Sequence, residues 1–92
     1  MRIRVTAHGE LQEHFGPEAQ LFDCGEGATL QDLLLLWEAR WGERLPPGLW
    51  NWMEHRFRGP VVIRVGDRIS RDRACPLHDG MEVRLYRALV GG

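Results

Sequence analysis

The stretch from Thr29 to Gly42 constrains this chain most, because it is the one clear helix in a sequence that otherwise reads as strands and turns. Leu30, Leu33, Leu34, Trp37 and Trp41 recur at helical spacing and form a single apolar stripe. Thr29 is a good N-cap with Asp32 at the third helical position, close to the capping-box pattern. Gly42 stands where a helix ends in a residue without a Cβ. Leu35 and Leu36 lie off the stripe, so one of them is expected to meet another segment or a partner. A helix with one apolar stripe has to lie on a flat apolar surface, and the flanking segments carry the pattern of a sheet that can supply it.

Arg2 to Ala7 puts Ile3, Val5 and Ala7 on one face and Arg2, Arg4 and Thr6 on the other, the period of a strand with one buried side. His8-Gly9 breaks it. Glu10 to Phe15 reads as a short helical turn with Leu11 and Phe15 four apart, and Gly16-Pro17 ends that turn. Gln20 to Cys24 reads as a second strand. After Gly59-Pro60 come the β-branched run Val61 to Val65, a tight turn at Gly66-Asp67 and a short return strand, Arg68-Ile69-Ser70. The Asp79-Gly80 turn leads into a last strand, Met81 to Arg87, in which Val83 and Leu85 alternate with Glu82, Arg84 and Tyr86. Between the helix and the second group of strands, Pro46-Pro47-Gly48 forms a turn and Leu49, Trp50, Trp52, Met53 and Phe57 crowd together. The i, i+3, i+7 spacing of Trp50, Met53 and Phe57 predicts a short second helix over a satellite core, with Trp52 pointing outward. A right-handed crossover from the second strand through the main helix suits a small mixed sheet wrapped on one face of that helix. The predicted core is Ile3, Val5, Leu30, Leu33, Trp37, Ile63, Val83 and Leu85.

Ninety-two residues make one small domain with a modest core. No apolar run approaches the roughly 20 residues of a membrane span, and the first residues alternate instead of forming the apolar stretch of a secretory signal. A cytoplasmic protein with no membrane association is expected. Cys24 and Cys75 form no C-x-x-C pair and are expected to be buried free thiols. The net charge of −1 gives no sign of a nucleic-acid partner. All 12 basic residues are arginine, and Arg2, Arg4 and Arg84 are expected to share a solvated outer sheet face able to steer an acidic partner. His8, His14, His55 and His78 are scattered, without the close pair of a metal site, and no phosphate-binding glycine-rich loop occurs. No catalytic constellation, metal site or bound cofactor is expected.

The sequence ends Arg87-Ala88-Leu89-Val90-Gly91-Gly92. Two terminal glycines can thread a narrow channel, and they leave the carboxylate unhindered for activation by another protein. Five residues from Ala88 to Gly92 extend at most about 17 Å, enough to enter a deep active site while the domain stays outside.

Three features coincide: the capped helix Thr29-Leu30-Gln31-Asp32-Leu33-Leu34; the hairpin Val62-Ile63-Arg64-Val65-Gly66-Asp67, followed by Leu77-His78-Asp79-Gly80-Met81-Glu82-Val83 and a last strand; and the terminal Gly91-Gly92. Together they resemble the MoaD/ThiS family of ubiquitin-like sulfur carriers over essentially the whole chain. The resemblance implies an α+β, ubiquitin-like β-grasp fold, a mixed sheet of about four to five strands packed on one main helix. It implies a domain over residues 1–87 and a flexible C-terminal tail over 88–92. It further implies a protein cosubstrate and not an enzyme, of the kind that forms the small subunit of a sulfurtransferase complex. An E1-like enzyme would use ATP to adenylate Gly92, and a persulfide protein would supply sulfur to make the thiocarboxylate. Gly91 would give clearance, Val90 and Leu89 would line the partner's channel, and a larger catalytic subunit of the molybdopterin synthase type would receive the carrier. The length favours the MoaD branch, serving the molybdopterin dithiolene, over the shorter ThiS type, serving thiazole synthesis. The alternatives are a protein modifier attached through Gly92 and a non-covalent β-grasp adaptor. The Trp50 to Phe57 segment and the Gly66-Asp67 turn, where Asn-Gly is common, depart from the family pattern.

Overall fold

A computed structural model describes residues 1–88. Five strands form one mixed sheet in the order β2-β1-β7-β5-β6. They are β1 (Arg2–Ala7), β2 (Gln20–Asp23), β5 (Val61–Val65), β6 (Arg68–Ile69) and β7 (Glu82–Arg87). β1 and β7 pair in parallel at the centre, with Val5 opposite Val83 and Ala7 opposite Leu85. β2 is antiparallel to β1, and β5 is antiparallel to β7 on its other side. A 3₁₀ turn (Gly9–Leu11) and the short helix α1 (Gln12–Phe15) connect β1 to β2, burying Leu11 and Phe15 as their spacing predicts. The main helix, α2 (Leu30–Trp41), then crosses the sheet. The alternation of β1 holds residue by residue: Ile3, Val5 and Ala7 are buried while Arg2 and Arg4 are exposed.

α2 forms where its caps allow. The backbone N–H of Thr29 donates to the Asp32 carboxylate at 2.8 Å, and the Thr29 hydroxyl donates to the same oxygen at 3.1 Å. Gly42 ends the helix at φ +52°, a conformation a Cβ would strain. The next two N–H groups, of Leu30 and Gln31, donate to the carbonyls of Cys75 and Arg73, tying the helix start to the loop before β7. Leu30, Leu33, Leu34 and Trp37 are buried against Val5, Ile63, Val83 and Leu85 of the sheet. Each such side chain contributes roughly 1.5–3 kcal/mol by leaving water. Trp41 is partly buried at the stripe's end, and the off-stripe Leu35 and Leu36 are exposed. All eight predicted core residues are buried.

The second helix does not form. Trp50–Asn51 (β3) and Arg56–Phe57 (β4) make a two-stranded antiparallel ribbon, with Trp50 opposite Phe57. A helix of about two turns has little to offset its nucleation cost, whereas Asn51 strongly favours a turn. Its side-chain oxygen accepts the backbone N–H groups of Met53 and Glu54, both at 3.0 Å. His55 closes the turn in the left-handed region at φ +55°. The ribbon puts Trp50 and Phe57 on one face, edge to face at 4.9 Å and buried, and leaves Met53 90% exposed at the tip. Trp52 points outward as expected, at 46% exposure. Met53 therefore belongs to the surface and not to a satellite core, and the Trp50–Phe57 pair joins the main core.

Candidate functional site at the end of the central strand

The site is the place where the chain leaves the sheet. β7 is held on both sides, by β1 and by β5, with Arg87 opposite Val61. One residue later, the backbone N–H of Ala88 donates to the Pro60 carbonyl at 2.7 Å. Arg87 Nη1 reaches Glu10 Oε2 at 3.3 Å, tying the strand end to the 3₁₀ turn after β1. The expected working residues, Leu89, Val90, Gly91 and Gly92, and with them all of the expected 88–92 tail except Ala88, lie outside the described residues.

On the outer sheet face Arg2, Arg4 and Arg84 meet carboxylates, whereas Arg64, opposite Arg84, is in no ion pair among the described residues and its buried Nε has no partner. Glu82 sits beside Arg4 at 3.9 Å and in hydrogen-bond contact with Arg84, and Arg2 meets Asp23 at 3.5 Å. The hydrogen bond from Arg84 holds the Glu82 carboxyl below its ordinary pKa, and Glu82 in turn raises that of Arg84. The expected arginines do share this face, but as compensated pairs. Beside them the His8 ring stacks on Tyr86 with centroids 4.7 Å apart, and its Nε2 lies 2.9 Å from the Thr6 hydroxyl.

Two further arrangements escaped the sequence reading. Glu38, on the rim of α2, accepts the Trp50 Nε1–H at 3.0 Å and lies 2.9 Å from His55 Nδ1, latching the β3–β4 ribbon to the helix. Four arginines, Arg56, Arg58, Arg71 and Arg73, gather around the same ribbon, and three of them line one shallow cleft floored by Leu30, Leu34, Phe57, Val61 and Ile63. The signal was present as two Arg-x-Arg pairs, 56/58 and 71/73, that only the fold brings together. Both cysteines are free, Cys24 buried and Cys75 only half-buried. Burial pushes the Cys24 thiol up, as suits a packing residue rather than a nucleophile. Among the described residues no three of His, Cys, Asp and Glu stand close enough to hold a metal ion, and no helix is long and apolar enough to cross a membrane.

No family profile matches the chain, and no curated protein matches it. Solved structures do. SAMP1 from Haloferax volcanii superposes with a TM-score of 0.81 at 15% identity, with 100% of both chains covered. Urm1 from Trypanosoma brucei gives 0.74 at 20% identity, covering 99% of this chain and 95% of that one. A chain of the complex between subunits 1 and 2 of the molybdopterin-converting factor from Helicobacter pylori gives 0.66 at 21%, again covering 100% of both. At these identities the likeness is one of fold, and it agrees with the strand order and the helix packing: the chain has a ubiquitin-like β-grasp fold.

Proposed function

We propose that this chain is a sulfur carrier whose C-terminal Gly92 is adenylated by an E1-like enzyme, converted to a thiocarboxylate and used as a sulfur donor in cofactor biosynthesis, with the molybdopterin dithiolene as acceptor. The observation that carries the reading is the anchoring of Ala88 on Pro60 at the end of the central strand, which gives Leu89, Val90, Gly91 and Gly92 a fixed point of departure. A carboxylate is a poor acyl donor. Transfer of AMP from ATP, with release of pyrophosphate, gives it a leaving group. The terminal sulfur of a persulfide then displaces AMP to give an acyl disulfide, and a second thiol attacks its non-acyl sulfur, forming a new disulfide on the donor side and releasing the thiocarboxylate. Every step happens at Gly92 and uses groups of the partners, so the carrier needs no catalytic side chain and no bound cofactor. ATP belongs to the activating enzyme, and Gly91, Val90 and Leu89 fill its channel. Support for the acceptor comes from the fold likeness to a chain of the molybdopterin-converting factor complex, which also makes a larger catalytic subunit the expected receiver.

A second reading rests on SAMP1, a small archaeal modifier protein of the same fold: the activated Gly92 forms an amide with a target amine. Intact mass of protein purified from its own host separates the two. Replacement of one oxygen by sulfur at Gly92 supports the carrier; a target-linked adduct supports the modifier; an unmodified chain alone refutes both. Deletion of Gly92 shifts the carboxylate by roughly 3.5 Å, and misplacement on the order of 1 Å already costs about a hundredfold in rate. That variant, and one with an alanine appended, should melt like the parent yet give no ATP–pyrophosphate exchange with the adenylating enzyme. Normal exchange by the extended chain would refute the role of Gly92.

A further inference from the structure

The described ion pairs distribute the arginines unevenly. Arg2, Arg4, Arg84 and Arg87 each meet a carboxylate. The other eight arginines are in no ion pair among the described residues, and four of them, Arg56, Arg58, Arg71 and Arg73, gather at the ribbon. Each donates instead to a backbone carbonyl: Arg56 to Arg71 at 3.4 Å, Arg58 to Pro47 at 2.9 Å, Arg71 to Gly59 at 2.7 Å and Arg73 to Glu54 at 2.8 Å. One of the five donors of each guanidinium is thereby spent on orientation; Arg58 and Arg71 are exposed and Arg56 and Arg73 half-buried. The two carboxylates nearest in sequence are engaged elsewhere, Glu54 with the Asn51 amide and Asp72 with the Ala74 N–H.

We propose that this arginine band, with Trp52 and Met53 beside it, is a docking surface for an acidic, apolar-pocketed face of the protein that takes the C-terminal tail. Three observations converge on that occupant. Four cations gathered beside only two carboxylates, neither in an ion pair with them, leave the band net positive and complementary to an acidic surface. Arginine, tryptophan and methionine are the residues that protein interfaces concentrate, and Met53 stands 90% exposed one residue from the carbonyl that holds Arg73. That exposed thioether, with a net charge of −1 on the whole chain, favours a folded protein over a nucleic acid. The band also reaches the tail's point of departure. Arg71 sits on the Gly59 carbonyl, and the next carbonyl, of Pro60, holds Ala88. A tail of four more residues extends at most about 14 Å, so a protein that admits Gly92 has to lie against the surroundings of Pro60. In this the inference rests on the carrier or modifier reading of the tail.

The test is ATP–pyrophosphate exchange by the adenylating enzyme of the same organism, with the full chain as variable substrate over a range of salt concentrations. Arg71→Glu/Arg73→Glu should raise KM on the order of tenfold or more, leave kcat unchanged and flatten the salt dependence of kcat/KM. Arg58→Glu, on the exposed rim, should act in the same direction and gives the reading should the double variant melt early. Unchanged KM and salt dependence in these variants, with exchange still abolished by deletion of Gly92, would overturn the docking surface and leave the tail's role standing. No exchange by the parent chain would remove the tail's role and the docking surface with it. An oligouridylate that binds the parent at the same salt, and not the double variant, would assign the band to RNA and overturn the proposal.

Discussion

The latch between Glu38 and the ribbon yields the sharpest stability prediction. Glu38 is 14% exposed, and one of its oxygens serves both Trp50 Nε1 and His55 Nδ1. Truncation to alanine leaves the indole N–H of Trp50, a residue with 0% exposure, without its acceptor. An orphaned buried donor costs about 1–3 kcal/mol. The His55 contact adds less, about 0–1 kcal/mol, because His55 is 49% exposed. Alanine's better helix propensity returns a few tenths. The net loss is about 2 kcal/mol, which in a domain of this size lowers Tm by roughly 8–16 °C. Urea melts should show a lower midpoint at unchanged slope. A double-mutant cycle with Trp50→Phe, which keeps the ring but removes the N–H, isolates the pair. A loss under about 0.5 kcal/mol in Glu38→Ala, or strict additivity in the cycle, would refute the latch.

In the Glu38→Ala background, His55→Gly should recover about 1 kcal/mol, since His55 then keeps its left-handed φ of +55° with no partner to offset it; a further loss on thermal melting would contradict this. Met53→Ala should stay within about 0.5 kcal/mol of the parent while Trp50→Ala loses about 3–5 kcal/mol; comparable losses in urea titrations would restore the helix reading of this segment. Glu82 has a depressed folded pKa, so its contribution is fully present above the unfolded carboxyl value of about 4.3 and is lost as pH falls through the lower folded value. Because its side chain is 35% exposed, Glu82→Gln should flatten the acid limb of the stability curve by no more than about 1 kcal/mol, and an effect confined to neutral pH would contradict the assignment. With 12 arginines and no lysine, the chain offers no side-chain amine, so a Gly92 isopeptide in a multimer of this protein alone should not be found by mass spectrometry.

Periodicity located β1, β5 and α2 because their residues face a uniform environment along their length. Ile3, Val5 and Ala7 all meet the core, and Leu30 to Trp37 share one stripe. The ribbon defeated the same reasoning because its pattern is not set by burial alone. Trp50 and Phe57 are paired across a turn that Asn51 and His55 impose, and their separation of seven imitates two helical turns by coincidence. Of the candidate site, the outer-face arginines were legible as alternation, while their compensation by Glu82 and Asp23 needed the strand register. The band of Arg56, Arg58, Arg71 and Arg73 joins two segments more than a dozen residues apart, and no local pattern links them.

Placement of β7 decides what kind of function the end of this chain can support. An edge strand frays, and a terminus hung on one has no fixed origin. Here the last strand lies in the sheet's interior, paired on both sides, with Val83 and Leu85 buried in the core beneath it and Ala88 bonded to Pro60 beyond it. A partner that recognises a carboxylate by position needs that fixed origin, because a tail of four residues multiplies any uncertainty at its base. The ribbon and its arginines stand beside the same origin, at Gly59 and Pro60, so docking and tail insertion would be set by one rigid reference. On this argument a substitution that weakens the Val61–Arg87 end of the β5–β7 pairing, such as Val61→Gly, should impair adenylation beyond its effect on the folded fraction. Exchange rates that track the folded fraction alone would show that the tail finds its partner without help from the strand.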